Sequence, residues 1–558
     1  MKKQNFLQSS LILIASAALA KVIGAIFRIP LANMLGGTGM GYFSSAYGIF
    51  MTVYAVSATG IPVAAAKLTA EKSSSDNGAE LKDVKRTALT VCALTGLAFT
   101  LLMLLLAYPF CCFISRSPES VFAVAMIAPS VFFGCVTAAY RGYREGLRNM
   151  YPTAVSQVIE AVVKLVSGLT CCAAVFKLTP AQLEQTAAVL GKIFPFKELS
   201  RLSADELIMP LAAAAAISGV TFSTFAGMVC VMICEKSAND PFKHAKGSFS
   251  NIISKQLTKI IIPVAAGALI SNLTSLIDLA TITRSLEKAV HTAPELFADY
   301  INIGIKAELL PNFFYGSFTG LAVTVFNLIP SFTNMFGKSA VPSIAGACAE
   351  GNADAVKNAV KNVIFTAAYV SVPCGIGISA IAPDILRLLF PMRSVETEIC
   401  SLSLRILGIG VIFLSVSSVL FAALQAVGRS DVPVKIMLWG VAVKLAGNIL
   451  LVSVPEFNVA GAAASTVICY GVIMIAAIAS TEKFTGLKRA AVFSLLAKIF
   501  FCGILCGGTA LVVNSLLTDV SDSRISVAVS VLSGAIIYII STHLTGVLNK
   551  TTLKMLIC

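Results

Sequence analysis

Fourteen stretches of about 20 or more mostly apolar residues follow one another along the 558-residue chain, each long enough to cross the hydrocarbon layer of a membrane. They lie near 10–34, 41–66, 87–112, 119–140, 151–176, 207–234, 256–283, 311–337, 362–390, 399–426, 432–454, 458–480, 490–516 and 525–547. Lipid offers backbone N–H and C=O groups no partner, so each such stretch must satisfy its own hydrogen bonds as a helix. With 57% apolar and 13% charged residues, nothing is left over for a soluble domain. The expectation is an all-α integral membrane protein with about 14 transmembrane helices.

The cations alternate between connections. The two before the first span, those of the even-numbered connections and those of the tail total 25, against about 12 on the other side. Short loops rich in Lys and Arg stay in the cytoplasm, so both termini are expected inside. The net charge of +14 then reads as anchoring to anionic lipid, with no nucleic-acid partner. The opening "MKKQNFLQSSLILIASAALA" has the make-up of a cleavable signal, but its apolar run continues to Met34 and is read as a full span.

The chain repeats itself at a spacing of about 280 residues. "REGLRNMYPTAVSQVIEAVVKLVSG" (144–168) and "LQAVGRSDVPVKIMLWGVAVKLAGN" (424–448) share a basic turn, a proline and a Val-Lys-Leu. A weaker pair, "ATGIPVAAAKLTAEK" (58–72) and "KSAVPSIAGACAEG" (338–351), aligns Pro62 with Pro342. Six spans per copy is an even number, so the copies share one orientation. The expected domains are an N-lobe over 1–240 (spans 1–6), a C-lobe over 241–485 (spans 7–12) and two appended spans over 486–558, with a central cavity between the lobes.

Charges at membrane depth cost several kcal/mol and face a polar interior or a partner. Lys21, Gly24 and Arg28 fall on one stripe of the first helix, with the glycine leaving room between the cations, and Pro30 is expected to bend it. On span 5, Gln157, Glu160, Lys164 and Gly168 form a row in which Glu160 and Lys164 can pair at i, i+4. The duplicated position on span 11 is Lys444, with Asn448 one turn on and Gly440 where the acid stood. Span 7 carries Ser271, Thr274, Ser275, Asp278 and Thr281 on one face, with Arg284 just beyond. Five deep cations (Lys21, Arg28, Lys164, Lys444 and Lys498) face two acids, Glu160 and Asp278, so the interior is net positive and suits a phosphate or pyrophosphate head group. Lys498, on an appended span, reads as structural.

No motif for chemistry appears. There is no Gly-x-x-x-x-Gly-Lys-Ser/Thr loop, and "GGTGMG" (36–41) reads as a turn between spans. The fifteen cysteines and three histidines show no metal-ligand or disulfide spacing, so no metal, cofactor or enzymatic activity is expected.

"RIPLANMLGGTGMGYFSSAYGIF" (28–50), followed by "SATGIPVAAAKLTAEK" (57–72), resembles the amino-terminal signature of bacterial SpoVB-type polysaccharide transporters. These belong to the multidrug/oligosaccharidyl-lipid/polysaccharide (MOP) exporter superfamily, which also holds the MurJ lipid II flippases. The resemblance implies a MATE-like fold and a flippase moving an undecaprenyl-diphosphate-linked sugar outward across the cytoplasmic membrane. It would serve peptidoglycan, spore cortex or a surface polysaccharide, alongside cell-wall synthesis enzymes. By the same resemblance, Lys21 and Arg28 are in the neighbourhood of first-helix cations that hold the diphosphate. Lipid II flippases of Gram-negative bacteria carry further arginines in the second and eighth helices, and spans 2 and 8 here have none at depth. Two alternatives stay open: a cation or drug antiporter of the same superfamily, and a non-transporting membrane scaffold for envelope assembly.

Overall fold

The computed structural model describes residues 6–73, 78–193, 203–237, 247–517 and 523–548, and no strand occurs among them. The chain divides into two compact units, Met1–Ala280 and Thr281–Cys558. The first is built from α1 (Phe6–Ser57), α2 (Gly60–Ser73), α3 (Gly78–Phe113), α4 (Val121–Ile127), α5 (Pro129–Gly146), α6 (Tyr151–Val175), α7 (Pro180–Ile193) and α8 (Ala204–Ser237). Helix α9 (Asn251–Thr292) runs through the division. The second unit continues with α10 (Ala298–Asn302), α11 (Leu310–Ser317), α12 (Val323–Ala349), α13 (Ala353–Ala380), α14 (Ala382–Leu389), α15 (Ser394–Ala426), α16 (Asp431–Leu451), α17 (Asn458–Thr485), α18 (Arg489–Leu517) and α19 (Ser523–Leu544).

Thirteen stretches among the described residues are long and apolar enough to span a membrane, and the first, Ala15–Ser73, holds two of the fourteen sequence windows. What separates those two is one residue. Inside α1 the backbone leaves helical geometry at Gly36 (φ 60°, ψ −169°), while Pro30 lies within the helix. Phe27 and Phe43, 16 residues apart, have ring centroids 6.4 Å apart, where a straight helix would separate them by about 24 Å. The chain therefore doubles back at Gly36, and the turn expected over 36–41 is otherwise helical. The reversal falls at Gly36 and not at Pro30 because proline keeps a helical φ and removes only one bond, whereas reversal needs a positive φ, which glycine adopts without a Cβ clash. Gly36→Ala is expected to cost about 1–3 kcal/mol. Thermal unfolding of the detergent-solubilised protein checks this, and an unchanged Tm would show that the reversal tolerates a side chain.

Span 4 is interrupted at Pro129, between α4 and α5, and its exposed carbonyls are covered by hydroxyls. Thr221 donates to Met126 O (2.6 Å), Ser130 to Ile127 O (2.5 Å) and Thr100 to Ala128 O (3.3 Å). Where lipid offers no water, such partners make the break tolerable. Span 8 is irregular too, with a π-helical turn over Phe318–Ala322 between α11 and α12.

Small residues let these helices approach closely. A Cβ at Gly142 would stand 2.6 Å from Pro62 O, and one at Gly146 would stand 2.6 Å from Ala66 O, so α5 lies directly on α2. Ala64, Ala65 and Leu68 of α2 pack with Val84 and Ala88 of α3 and with Ile253 and Leu257 of α9. In the second unit, α18 fits its Gly503 and Gly507 against Val372 and Ile376 of α13, and Tyr538 of α19 donates to Tyr369 O (2.9 Å).

The duplication is visible atom by atom. After α5, Asn149 N–H donates to Arg144 O (3.0 Å) and Arg148 N–H to Glu145 O (2.9 Å), with Arg148 at φ 57°. After α15, Arg429 N–H donates to Leu424 O (2.9 Å) and Gly428 N–H to Gln425 O (3.0 Å), with Gly428 at φ 83°. These are two Schellman caps at the same offset of 280, and the helices they lead into, α6 and α16, begin at Tyr151 and Asp431.

Candidate functional site

The first arm of α1 presents Lys21, Gly24 and Arg28 in turn, with Lys21 exposed and Arg28 half-buried. A Cβ at Gly24 would meet nothing within 4 Å, so the space between the cations is open. Phe27, beside Arg28, is buried, and α6 grips it. The Lys164 ammonium lies 5.5 Å from the Phe27 ring centroid, and a Cβ at Gly168 would stand 2.7 Å from that ring. A cation over an aromatic face is attracted by the ring quadrupole, which places the Lys164 charge at the helical turn that carries Arg28. Nearer the start of both helices, Ser16 donates to Gln157 Oε1 (3.4 Å).

The pairing expected of Glu160 and Lys164 gives way to a different partner. Arg141 of α5 donates from Nη2 to Glu160 Oε1 (2.7 Å) and from Nε to Ser156 Oγ (2.9 Å). Ser156 Oγ in turn donates a hydrogen bond to Thr153 O (3.0 Å). The carboxylate has room on that side because α8 presents Gly227, whose Cβ would stand 2.0 Å from Glu160 Oε1. Guanidinium wins over ammonium because its planar fork bonds hydroxyl and carboxylate together, while an exposed i, i+4 pair is worth only about 0.3–0.5 kcal/mol. Arg141 stood one residue beyond the apolar window 119–140 and was counted among the loop cations. The available signal was Ala138, Gly142 and Gly146, a small-residue stripe at helical spacing that continues past the window.

A second charged cluster lies at helix ends beyond the apolar windows. Glu235 of α8 pairs with Lys85 of α3 through Oε1 and with Arg144 of α5 through Oε2. Arg144 is 2% exposed, and the Lys85 ammonium lies 5.4 Å from the Tyr143 ring centroid and 5.8 Å from that of Tyr140. Lys85, Arg141 and Arg144 are thus internal partners of carboxylates instead of lipid-facing anchors.

In the second unit Lys444 is 4% exposed and Asn448 is fully buried. Asn448 donates from Nδ2 to Thr281 Oγ1 (2.9 Å), and Ser465 of α17 donates to Lys444 O (3.1 Å). Gly440 replaces the acid because a Cβ there would stand 2.4 Å from Ile473 Cδ1, leaving no room for a carboxylate. On α9, Asp278 is half-buried one turn before Thr281, and Arg284 is exposed one turn after it. The Ser271 side chain lies outside the described residues. Lys498 is exposed on α18. No group of three or more His, Cys, Asp or Glu that could hold a metal ion occurs among the described residues.

Thirteen candidate spans, duplicated caps and the cations on α1 and α6 are those of a multi-pass membrane protein, and its fold is that of the MurJ and MATE structures described next. Residues 6–197 match the family described as "Polysaccharide biosynthesis protein", and residues 317–450 match that described as MatE. Stage V sporulation protein B of Bacillus subtilis is 23% identical over 99% of this chain and 98% of its own. Lipid II flippase MurJ of the same organism is 21% identical over 89% of this chain and 87% of its own. Among solved structures, an inward closed conformation of Lipid II flippase MurJ superposes with TM-score 0.64 and 14% identity, covering 96% of this chain and 98% of that one. An inward-facing multidrug resistance MATE family transporter superposes with TM-score 0.62 and 13% identity, covering 87% and 99%.

Proposed function

We propose that this protein is a flippase carrying an undecaprenyl-diphosphate-linked oligosaccharide from the inner to the outer leaflet of a bacterial cytoplasmic membrane, with both termini cytoplasmic. The observation that carries the reading is the Lys164 ammonium, seated on Phe27 next to Arg28 while Glu160 is taken up by Arg141. An ammonium that rests on an aromatic face at membrane depth suits a diphosphate, whose oxygens accept charge-assisted hydrogen bonds. Likeness to Stage V sporulation protein B and Lipid II flippase MurJ supports the same class of cargo.

Lys21, Arg28 and Lys164 are the candidates for binding the diphosphate in the first unit, and Lys444, Asn448 and Arg284 are the polar candidates within the second. Alternating access carries the head group across while the prenyl tail stays in lipid. The membrane potential contributes about 2.3 kcal/mol per elementary charge per 100 mV, and the carboxylates Asp278 and Glu160 are the candidates for ion coupling.

The MatE match over 317–450 favours a second reading, export of an organic cation. That cargo needs an interior acid, and with Glu160 held by Arg141 it would rest on Asp278 alone of the two named. Binding of undecaprenyl diphosphate in nanodiscs, with the monophosphate as control, separates the two. The expected result is diphosphate-selective binding that falls at least about tenfold in Lys21→Ala/Arg28→Ala. Failure of the wild-type protein to bind the diphosphate would reject the flippase reading.

A further inference from the structure

We infer that Arg141 is a positioning residue: by holding the Glu160 carboxylate it keeps the Lys164 ammonium available to an anionic head group. The inference rests on the diphosphate-lipid reading above and names a residue that neither the repeat nor the first-helix stripe points to.

Glu160 precedes Lys164 by four residues on α6, the order in which such pairs attract best along a helix. Left alone, the two would neutralise each other, and the first unit would lose a cation from the face that meets α1. Three features of the structure prevent it. Arg141 reaches Glu160 at 2.7 Å and Ser156 at 2.9 Å from one planar group, which fixes the carboxylate on the α5 side. Gly227 of α8 leaves the space that the carboxylate fills, since any side chain there would begin 2.0 Å from Oε1. Phe27 of α1 offers Lys164 a ring face at 5.5 Å, an attraction that leaves all three ammonium N–H donors for a ligand. The Glu160 carboxylate makes its hydrogen bond to Arg141, and the Lys164 ammonium rests on the Phe27 ring.

The second unit shows the same outcome reached differently. At the duplicated position Lys444 follows Gly440, with no carboxylate four residues before it, so no arginine is needed. Position 421, at the offset of 280 from Arg141, is Phe421. The arginine and the acid occur together in one copy and are absent together from the other, as a compensating pair should be.

The test is a charge cycle read by binding of undecaprenyl diphosphate in nanodiscs. Arg141→Gln is expected to weaken binding about tenfold, because Glu160 is released toward Lys164. Arg141→Gln/Glu160→Gln is expected to recover affinity to within about threefold of wild type, because nothing remains to capture the lysine. Lys164→Gln added to the double variant is expected to remove the recovered binding. A merely structural pair would show both the loss and its rescue in stability, so size-exclusion profiles and thermal unfolding of all variants report folding separately, and the inference is read from affinity in variants as stable as wild type and from its dependence on Lys164. Wild-type affinity in Arg141→Gln, or a double variant as weak as the single, would overturn the inference. If wild type binds and Lys21→Ala/Arg28→Ala does not, while Arg141→Gln is unaffected, this inference fails and the flippase reading stands. If wild type does not bind, the reading itself fails.

Discussion

Glu235→Ala is expected to destabilise the protein by about 3–5 kcal/mol, the largest loss foreseen for a single substitution here. Glu235 is the shared acceptor of Lys85 and Arg144, and Arg144 has almost no access to solvent. Removing the carboxylate leaves two like charges side by side, one of them out of reach of water. Their desolvation then goes uncompensated, whereas a surface pair would lose at most about 1 kcal/mol. Pairing the change with Arg144→Met should recover much of the loss, since an apolar side chain needs no partner where the cluster sits. Denaturant unfolding in detergent micelles measures both variants. Wild-type stability in Glu235→Ala would mean that water reaches the cluster and that its cations are no more than the basic loop residues they resemble in sequence.

Gly227→Ala is expected to act on Glu160 without altering any charge. The new methyl group would begin 2.0 Å from the carboxylate oxygen, far inside van der Waals contact, so the side chain must leave the position in which Arg141 holds it. Two consequences follow together. Arg141 loses its carboxylate partner while keeping Ser156, at about 1–3 kcal/mol in a half-buried setting, and the displaced carboxylate turns toward Lys164. Affinity for undecaprenyl diphosphate in nanodiscs should fall about tenfold, as in Arg141→Gln, and Glu160→Gln should relieve the defect. A Gly227→Ala protein with wild-type stability and affinity would show that Glu160 has an equivalent resting place elsewhere.

How far the site was legible varies residue by residue. The stripe of Lys21, Gly24 and Arg28 follows from helical spacing and needs no tertiary information. Lys444 and Asn448 emerge from the repeat, and their burial agrees with the idea that a charged position inside a span faces the protein. Arg141, Arg144 and Glu235 were hidden by the rule that makes spans legible: a hydropathy window ends where charges begin, so helix ends that stay inside the packed unit look like loops. The residues that betray them are small ones at spacing four, whose meaning depends on a neighbouring helix lying against them.

The sequence by itself determined the membrane-spanning helices, the duplication at an offset of 280 and the excess of deep cations, because periodicity, apolar length and charge are properties of local stretches of chain. Only the tertiary structure decided that α1 doubles back at one glycine, that Glu160 belongs to Arg141, and that Lys164 is thereby left over Phe27. The physical reason is that a charge has several candidate partners along the chain at nearly equal energy. Which one it meets depends on where a glycine on another helix leaves room.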